Sequence, residues 1–113
     1  MSERLSLNNS YQAGERMALL CEQGKPWQNH SGSFRGEPWD RSYVDTGIMP
    51  PAQAEMIKKF AHAGELDYVI FSYSTPIAYR ANGEWYIPTT KYSVTTSKHQ
   101  GKLYRLGRHA AQV

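Results

Sequence analysis

The sequence predicts one α+β domain, a three- to four-stranded antiparallel meander packed with about three helices. Three observations predict it. Apolar residues recur at helical spacing in two separate stretches, 11–23 and 52–60. From Tyr68 the pattern changes to β-branched and aromatic residues broken by an Asn82-Gly83 pair, the strongest short hairpin signal. Ser97-Lys98-His99-Gln100 then has the form of a capping box ahead of a last helix. At 113 residues the chain suits a single domain, 1–113, with one core.

Taken in order, residues 1–10 are polar and read as frayed. Residues 11–23 form the first predicted helix, with Tyr11, Met17, Leu19 and Leu20 near one stripe and Gly24 and Pro26 as stop signals. Residues 24–46 read as an irregular, aromatic-rich loop. It holds Trp27, Phe34, Trp39 and Tyr43 between glycines and prolines, too many rings for a disordered linker. A strand near 33–35 is its one candidate regular piece, and its rings are expected to tuck onto the core. Pro50-Pro51 opens the second helix, since a missing N–H has no helical partner in the first turn. Ala52, Met56 and Phe60, with Ile57 beside them, form its stripe, and Ala63-Gly64 ends it. Residues 68–73 are the first strand. Thr75-Pro76 interrupts, 77–80 is the second, and 84–87 returns after the Asn-Gly turn until Pro88 stops it. Residues 91–94 are a candidate fourth strand. The last helix is expected from Ser97 to about Ala110. Gly101 and Gly107 cost it about 1 kcal/mol each, so it should depend on docking.

Composition limits the function classes. The single cysteine, Cys21, excludes an internal disulfide and points to a reducing compartment. Lying in the apolar run Met17-Ala18-Leu19-Leu20-Cys21, it is expected to be a buried thiol, not a nucleophile. Residues 1–6 carry no apolar signal segment, and no apolar run approaches the length of a membrane span, so no membrane association and a cytoplasmic location are expected. His30, His62, His99 and His109 lack metal-ligand spacing, and no cofactor is implied. His62 is placed to favour a helix C-terminus. No P-loop, dinucleotide fingerprint or nucleophile elbow is present. Glu37, Asp40, Asp45, Glu65, Asp67 and Glu84 are scattered, so no catalytic residue is assigned. An enzyme would need a deep pocket that joins His99 to Thr95 or a carboxylate.

Binding is the better-supported class. The net charge is +3, and the basic side chains Lys91, Lys98, Lys102, Arg105 and Arg108 lie in a segment, 90–113, with no Asp or Glu. In one continuous helix Lys98, Lys102, Arg105 and His109 share a face, and His99, Leu103, Leu106 and Ala110 form the apolar stripe beside it. Lys91, Lys98, Lys102, Arg105, Arg108 and His109 are therefore the candidate phosphate- or partner-binding set. The hydroxyls of Thr89, Thr90, Ser93, Thr95, Thr96 and Ser97 precede that helix, where they serve as caps or help receive an anion. Trp27, Trp39, Tyr73 and Trp85 are the candidate aromatic contacts. Both faces of the predicted sheet, Tyr68/Ile70 and Val69/Phe71, are apolar enough to need cover from helices, the 27–43 loop or a partner.

Two strings are specific: Phe71-Ser72-Tyr73-Ser74-Thr75-Pro76-Ile77-Ala78 and Lys91-Tyr92-Ser93-Val94-Thr95-Thr96-Ser97-Lys98-His99-Gln100. With Trp85, Pro88 and the Gly47-Ile48-Met49-Pro50 entry to the second helix, they resemble a family of small uncharacterised proteins of bacteriophages and bacterial mobile elements. The Gly-x-Leu-Pro pattern of that family carries Met49 in place of Leu here, and the likeness covers about 47–100. It brings no activity with it. It implies a setting: a non-catalytic accessory protein that binds a host or defence-system protein, for example as an anti-defence inhibitor. The alternative is a nucleic-acid-binding accessory or regulatory factor that uses the basic helix.

Overall fold

The computed structural model describes residues 2–7, 11–106 and 111–113. Seven strands among these residues form one sheet in chain order: β1 (Glu3–Leu5), β2 (Trp27–Asn29), β3 (Phe34–Pro38), β4 (Leu66–Ser72), β5 (Thr75–Ala81), β6 (Glu84–Ile87) and β7 (Ala111–Gln112). Neighbours from β2 to β6 run antiparallel. The two outer strands are parallel to their partners, β1 to β2 and β7 to β6. Parallel neighbours need a crossover, and helices supply both. Helix α1 (Tyr11–Glu22) carries the chain from β1 to β2. Helix α3 (Val94–Gln100) and a 3-10 turn (Leu103–Leu106) lie on the path from β6 to β7. Helix α2 (Pro51–His62) falls between β3 and β4.

The alternation of β4 sorts the core into two layers. Tyr68 and Ile70 join Phe34, Trp27 and Ile77 under Met17, Leu20 and Cys21 of α1 and Leu103 and Leu106 of the 3-10 turn. Val69 and Phe71 join Tyr79 under Ala54, Ile57 and Ala61 of α2 and under Trp39, Val44 and Met49 of the loop before it. Both faces of the sheet are thus covered by this chain. No helix among the described residues is long and apolar enough to cross a membrane.

The sequence reading understated the sheet. Residues 3–5, expected to be frayed, are an edge strand, and Leu5 and Leu7 are buried beneath α1. The stretch 24–46 contributes β2 and β3, so only its second half is irregular. A fourth strand at 91–94 does not form: α3 begins at Val94 with Ser93 as its cap, whose Oγ accepts from Thr96 N at 3.1 Å. Ser97 lies inside the helix. The buried stripe of α2 is Ala54, Ile57 and Ala61, while Ala52 is exposed. The largest difference concerns the last helix, which stops at Gln100. Leu103 and Leu106 are three residues apart, and a 3-10 turn brings i and i+3 onto one side, so one short turn buries both without continuing the α-helix through Gly101.

Candidate interaction site

The turn between β4 and β5 is two residues long, Tyr73-Ser74, closed by the Ser72–Thr75 pair. Tyr73 has φ +56°, a left-handed conformation that costs an L-residue with a bulky side chain about 1–2 kcal/mol. The neighbourhood enforces it. Tyr73 N donates to Ser33 O at 2.7 Å, and Arg35 Nη1 donates to Tyr73 O at 2.7 Å. The side chain so held points outward and is 54% exposed.

A second segment is clamped to this tip. Ile48 N donates to Thr75 Oγ1 at 3.1 Å, and Asp45 Oδ1 accepts from Gly47 N at 2.9 Å. Gly47 has φ +51°, and a Cβ there would lie 2.2 Å from Thr75 Oγ1, so only glycine allows the approach. The clamp leaves Ile48 71% exposed.

Beneath the tip is a buried polar cluster. Ser72 Oγ donates to Thr96 Oγ1 at 3.0 Å and lies 2.7 Å from His99 Nδ1, while Ser93 Oγ donates to Thr96 Oγ1 at 3.2 Å. The His99 ring stacks on Phe34 at 4.5 Å and 7°, and lies 6.2 Å from the Tyr73 ring. Burial, with help from the Lys102 charge, holds the imidazole below its ordinary pKa, so it is neutral at pH 7. A serine beside a histidine invites a catalytic reading, but Ser72 is sealed at 1% exposure and no carboxylate among the described residues bonds to His99. The cluster does structural work: it fastens α3 to the end of β4.

The predicted site residues divide. Tyr73 is exposed at the tip. Trp27 and Trp39 are corrections, because both are core residues. Trp27 Nε1 donates to Cys21 Sγ at 3.2 Å, and Trp39 Nε1 donates to Tyr43 O at 2.9 Å beneath the Arg41 guanidinium, 4.2 Å from its ring. Neither is available to a partner. Trp85 is half-buried, with Arg80 5.4 Å from its ring. It borders an open groove of about 1110 Å³ whose walls include Leu19, Glu22 and Tyr104. Arg80 is fixed at the groove by Asp67 Oδ1 at 2.5 Å and Cys21 O at 3.0 Å. Burial pushes the Cys21 thiol up to about 11, which leaves it unreactive at neutral pH.

The proposed basic face does not assemble on one helix. Lys98 is exposed on α3, Lys91 precedes the helix, and Lys102 is half-buried in the turn after it. The Arg105 side chain, Arg108 and His109 lie outside the described residues. Sequence reasoning missed Ile48, Val94 and the buried Ser72–Thr96–His99 cluster. Val94, 76% exposed, begins α3 on the side away from His99. Of these, Ile48 and Ser72 had a weak signal in Gly47-Ile48-Met49-Pro50 and Ser72-Tyr73-Ser74-Thr75, where an apolar or aromatic residue sits inside a turn.

No curated protein and no solved structure matches the chain. A family of unknown function (DUF8033) matches residues 24–112, which takes in every strand from β2 to β7, α2, α3 and the whole β4–β5 tip. The chain belongs to that family.

Proposed function

We propose that this protein is a non-catalytic accessory protein that binds and modulates another protein complex, and that the β4–β5 tip is its contact surface. One observation carries the reading: a solvent-exposed tyrosine is held in a left-handed conformation by two backbone contacts. Glycine or asparagine would close the same turn at lower cost, so the turn conformation does not require the ring. Local strain of this kind concentrates where a side chain must be presented to something else. Ile48, fixed beside the turn through Thr75, adds an apolar contact, and tyrosine with an aliphatic neighbour suits the centre of a protein interface. The resemblance to phage and mobile-element proteins supports a bacterial host as the setting, with host or defence-system proteins as partners. It rests on the 71–78 and 91–100 strings and the 47–50 entry: the first contains the turn, the last is clamped beside it, and the second supplies the cluster beneath it.

The test is differential capture from a bacterial host lysate, with Tyr73→Asn as the control, because asparagine tolerates positive φ and keeps the turn. The expected result is a protein complex retained by the wild type, lost with Tyr73→Asn, and indifferent to nuclease. Equal capture by both proteins would overturn the reading. Capture that nuclease abolishes would transfer it to nucleic acid. For that alternative the supporting feature is Lys91 and Lys98, which are exposed without an acidic partner among the described residues.

A further inference from the structure

We propose that His99 is an acid-sensitive latch: when its imidazole takes up a proton, α3 loosens from β4 and the Tyr73 turn is released. The inference concerns regulation of the tip surface, so its biological meaning rests on the binding reading above, although its test needs no partner.

The geometry supports it in three ways. First, His99 is the junction between elements. It belongs to α3, stacks on Phe34 of β3, and contacts Ser72 at the end of β4, the residue directly before Tyr73. Secondly, the hydroxyl protons are committed. Ser72 gives its proton to Thr96, so Nδ1 donates to Ser72 and Nε2 is the nitrogen left to accept a proton. Thirdly, nothing nearby among the described residues compensates a positive charge. From β3 the facing groups are the Phe34 ring and, one residue on, Arg35, whose guanidinium bonds to Tyr73 O. From β4 they are Ser72 and Tyr73. From α3 they are Ser93 and Thr96, with Lys98 on the outer side, and the following turn adds Lys102. Glu37, the carboxylate of β3, is held by Arg35 and Arg41 at 3.4 and 3.6 Å. Protonation therefore adds a cation to a buried site whose other charges are cationic.

The direction of the pH effect follows. The folded imidazole titrates below its ordinary value of 6.5, so the released state binds the proton more readily than the latched one. Docking of α3 is complete above about pH 6.5 and weakens as pH falls from there to the lower folded value. With one proton linked, the opening equilibrium rises by up to about tenfold per pH unit inside that window and is flat outside it.

The experiment is an NMR titration of the full chain from pH 8 to pH 4.5. It follows the His99 imidazole, the backbone amides of residues 72–75 and 94–100, and exchange protection of those amides corrected for intrinsic rates. The expected result is a His99 midpoint below 6.5, with both amide groups shifting and losing protection at the same midpoint. In His99→Asn, which keeps a hydrogen-bonding atom near the Nδ1 position, that response should vanish. Titration of His99 without any amide response would overturn the latch, as would the same response in His99→Asn. Should that variant fail to fold, coincidence or mismatch of the wild-type midpoints decides by itself. Loss of the latch with a Tyr73-dependent partner still captured would leave the binding reading intact, and the converse would remove the partner and keep the latch.

Discussion

The two tight turns of the sheet solve one geometric problem with opposite residues. Between β5 and β6, Asn82 and Gly83 both take positive φ, +53° and +79°, which suits the twist of a two-residue hairpin and the residues that supply it. Asn82 also bonds to the Glu65 carboxylate, and a Cβ on Gly83 would meet nothing within 4 Å. That turn faces solvent, and its ties to the rest of the chain go to Glu65, whose backbone O also accepts from Asn82 N at 3.2 Å. Between β4 and β5 a tyrosine occupies the left-handed position, and the turn is held by Ser33, Arg35, the 45–48 loop and, from below, α3. One turn is built from two residues that accept its backbone conformation. The other is imposed by the rest of the molecule, and this is the difference expected between a turn that only reverses the chain and one that presents a side chain.

The sharpest way to break that contrast is to remove what imposes the second turn. Gly47→Ala places a Cβ within 2.8 Å of Ser74 O and Thr75 Cα, backbone atoms that cannot swing aside, in a residue with φ +51°. A loss of about 2–4 kcal/mol is expected by urea unfolding. Gly83→Ala, strained by its φ alone, should lose about 1 kcal/mol. Equal losses would mean that the tip is no more dependent on its surroundings than the other hairpin.

Next comes the buried fastening. Ser72→Ala leaves Thr96 Oγ1 and His99 Nδ1 without their shared partner in a sealed site. The expected cost is about 1–3 kcal/mol. Ser31→Ala, on the exposed side of the 29–33 turn, should stay within about 0.5 kcal/mol.

The same contrast explains what the sequence disclosed. The residues of β4, β5 and β6 carry their own pattern, and Asn82-Gly83 carries its own turn, so the central meander is legible. Pro50-Pro51 likewise marks the start of α2. The outer strands are not legible, because three residues at β1 and two at β7 are too few to show a period, and their pairing comes from the crossovers that return them. Strand β3, Phe-Arg-Gly-Glu-Pro, shows in the sequence only as a candidate strand at 33–35, because Gly36 breaks the pattern. That glycine faces Trp27 across the ladder, where a Cβ would lie 2.5 Å from the indole Nε1, so a poor strand residue is required by a large core ring. After Gln100 the spacing of Leu103 and Leu106 satisfies an α-helical stripe and a 3-10 pair equally, and only the packing decides between them. At the site, Tyr73 could be suspected from its aromatic character. Its φ and its dependence on Arg35, thirty-eight positions away, could not, since both arise from tertiary contacts.

The smallest expected effect is the most informative. Tyr73→Asn relieves the left-handed strain and removes an exposed ring, so stability should be unchanged or raised by up to about 1 kcal/mol, while partner capture is lost. The reciprocal variant, Asn82→Tyr, puts the same misfit into the Asn-Gly turn and breaks the side-chain bond to Glu65. It should lose about 1–2 kcal/mol with capture unaffected. Measured together by urea unfolding and by capture, the pair separates two explanations of Tyr73. If the ring is there to be presented, stability and binding move independently across the two turns. If Tyr73→Asn instead destabilises the chain as much as Asn82→Tyr does, the ring belongs to the fold through its contact with His99, and the tip loses its claim as the interaction site.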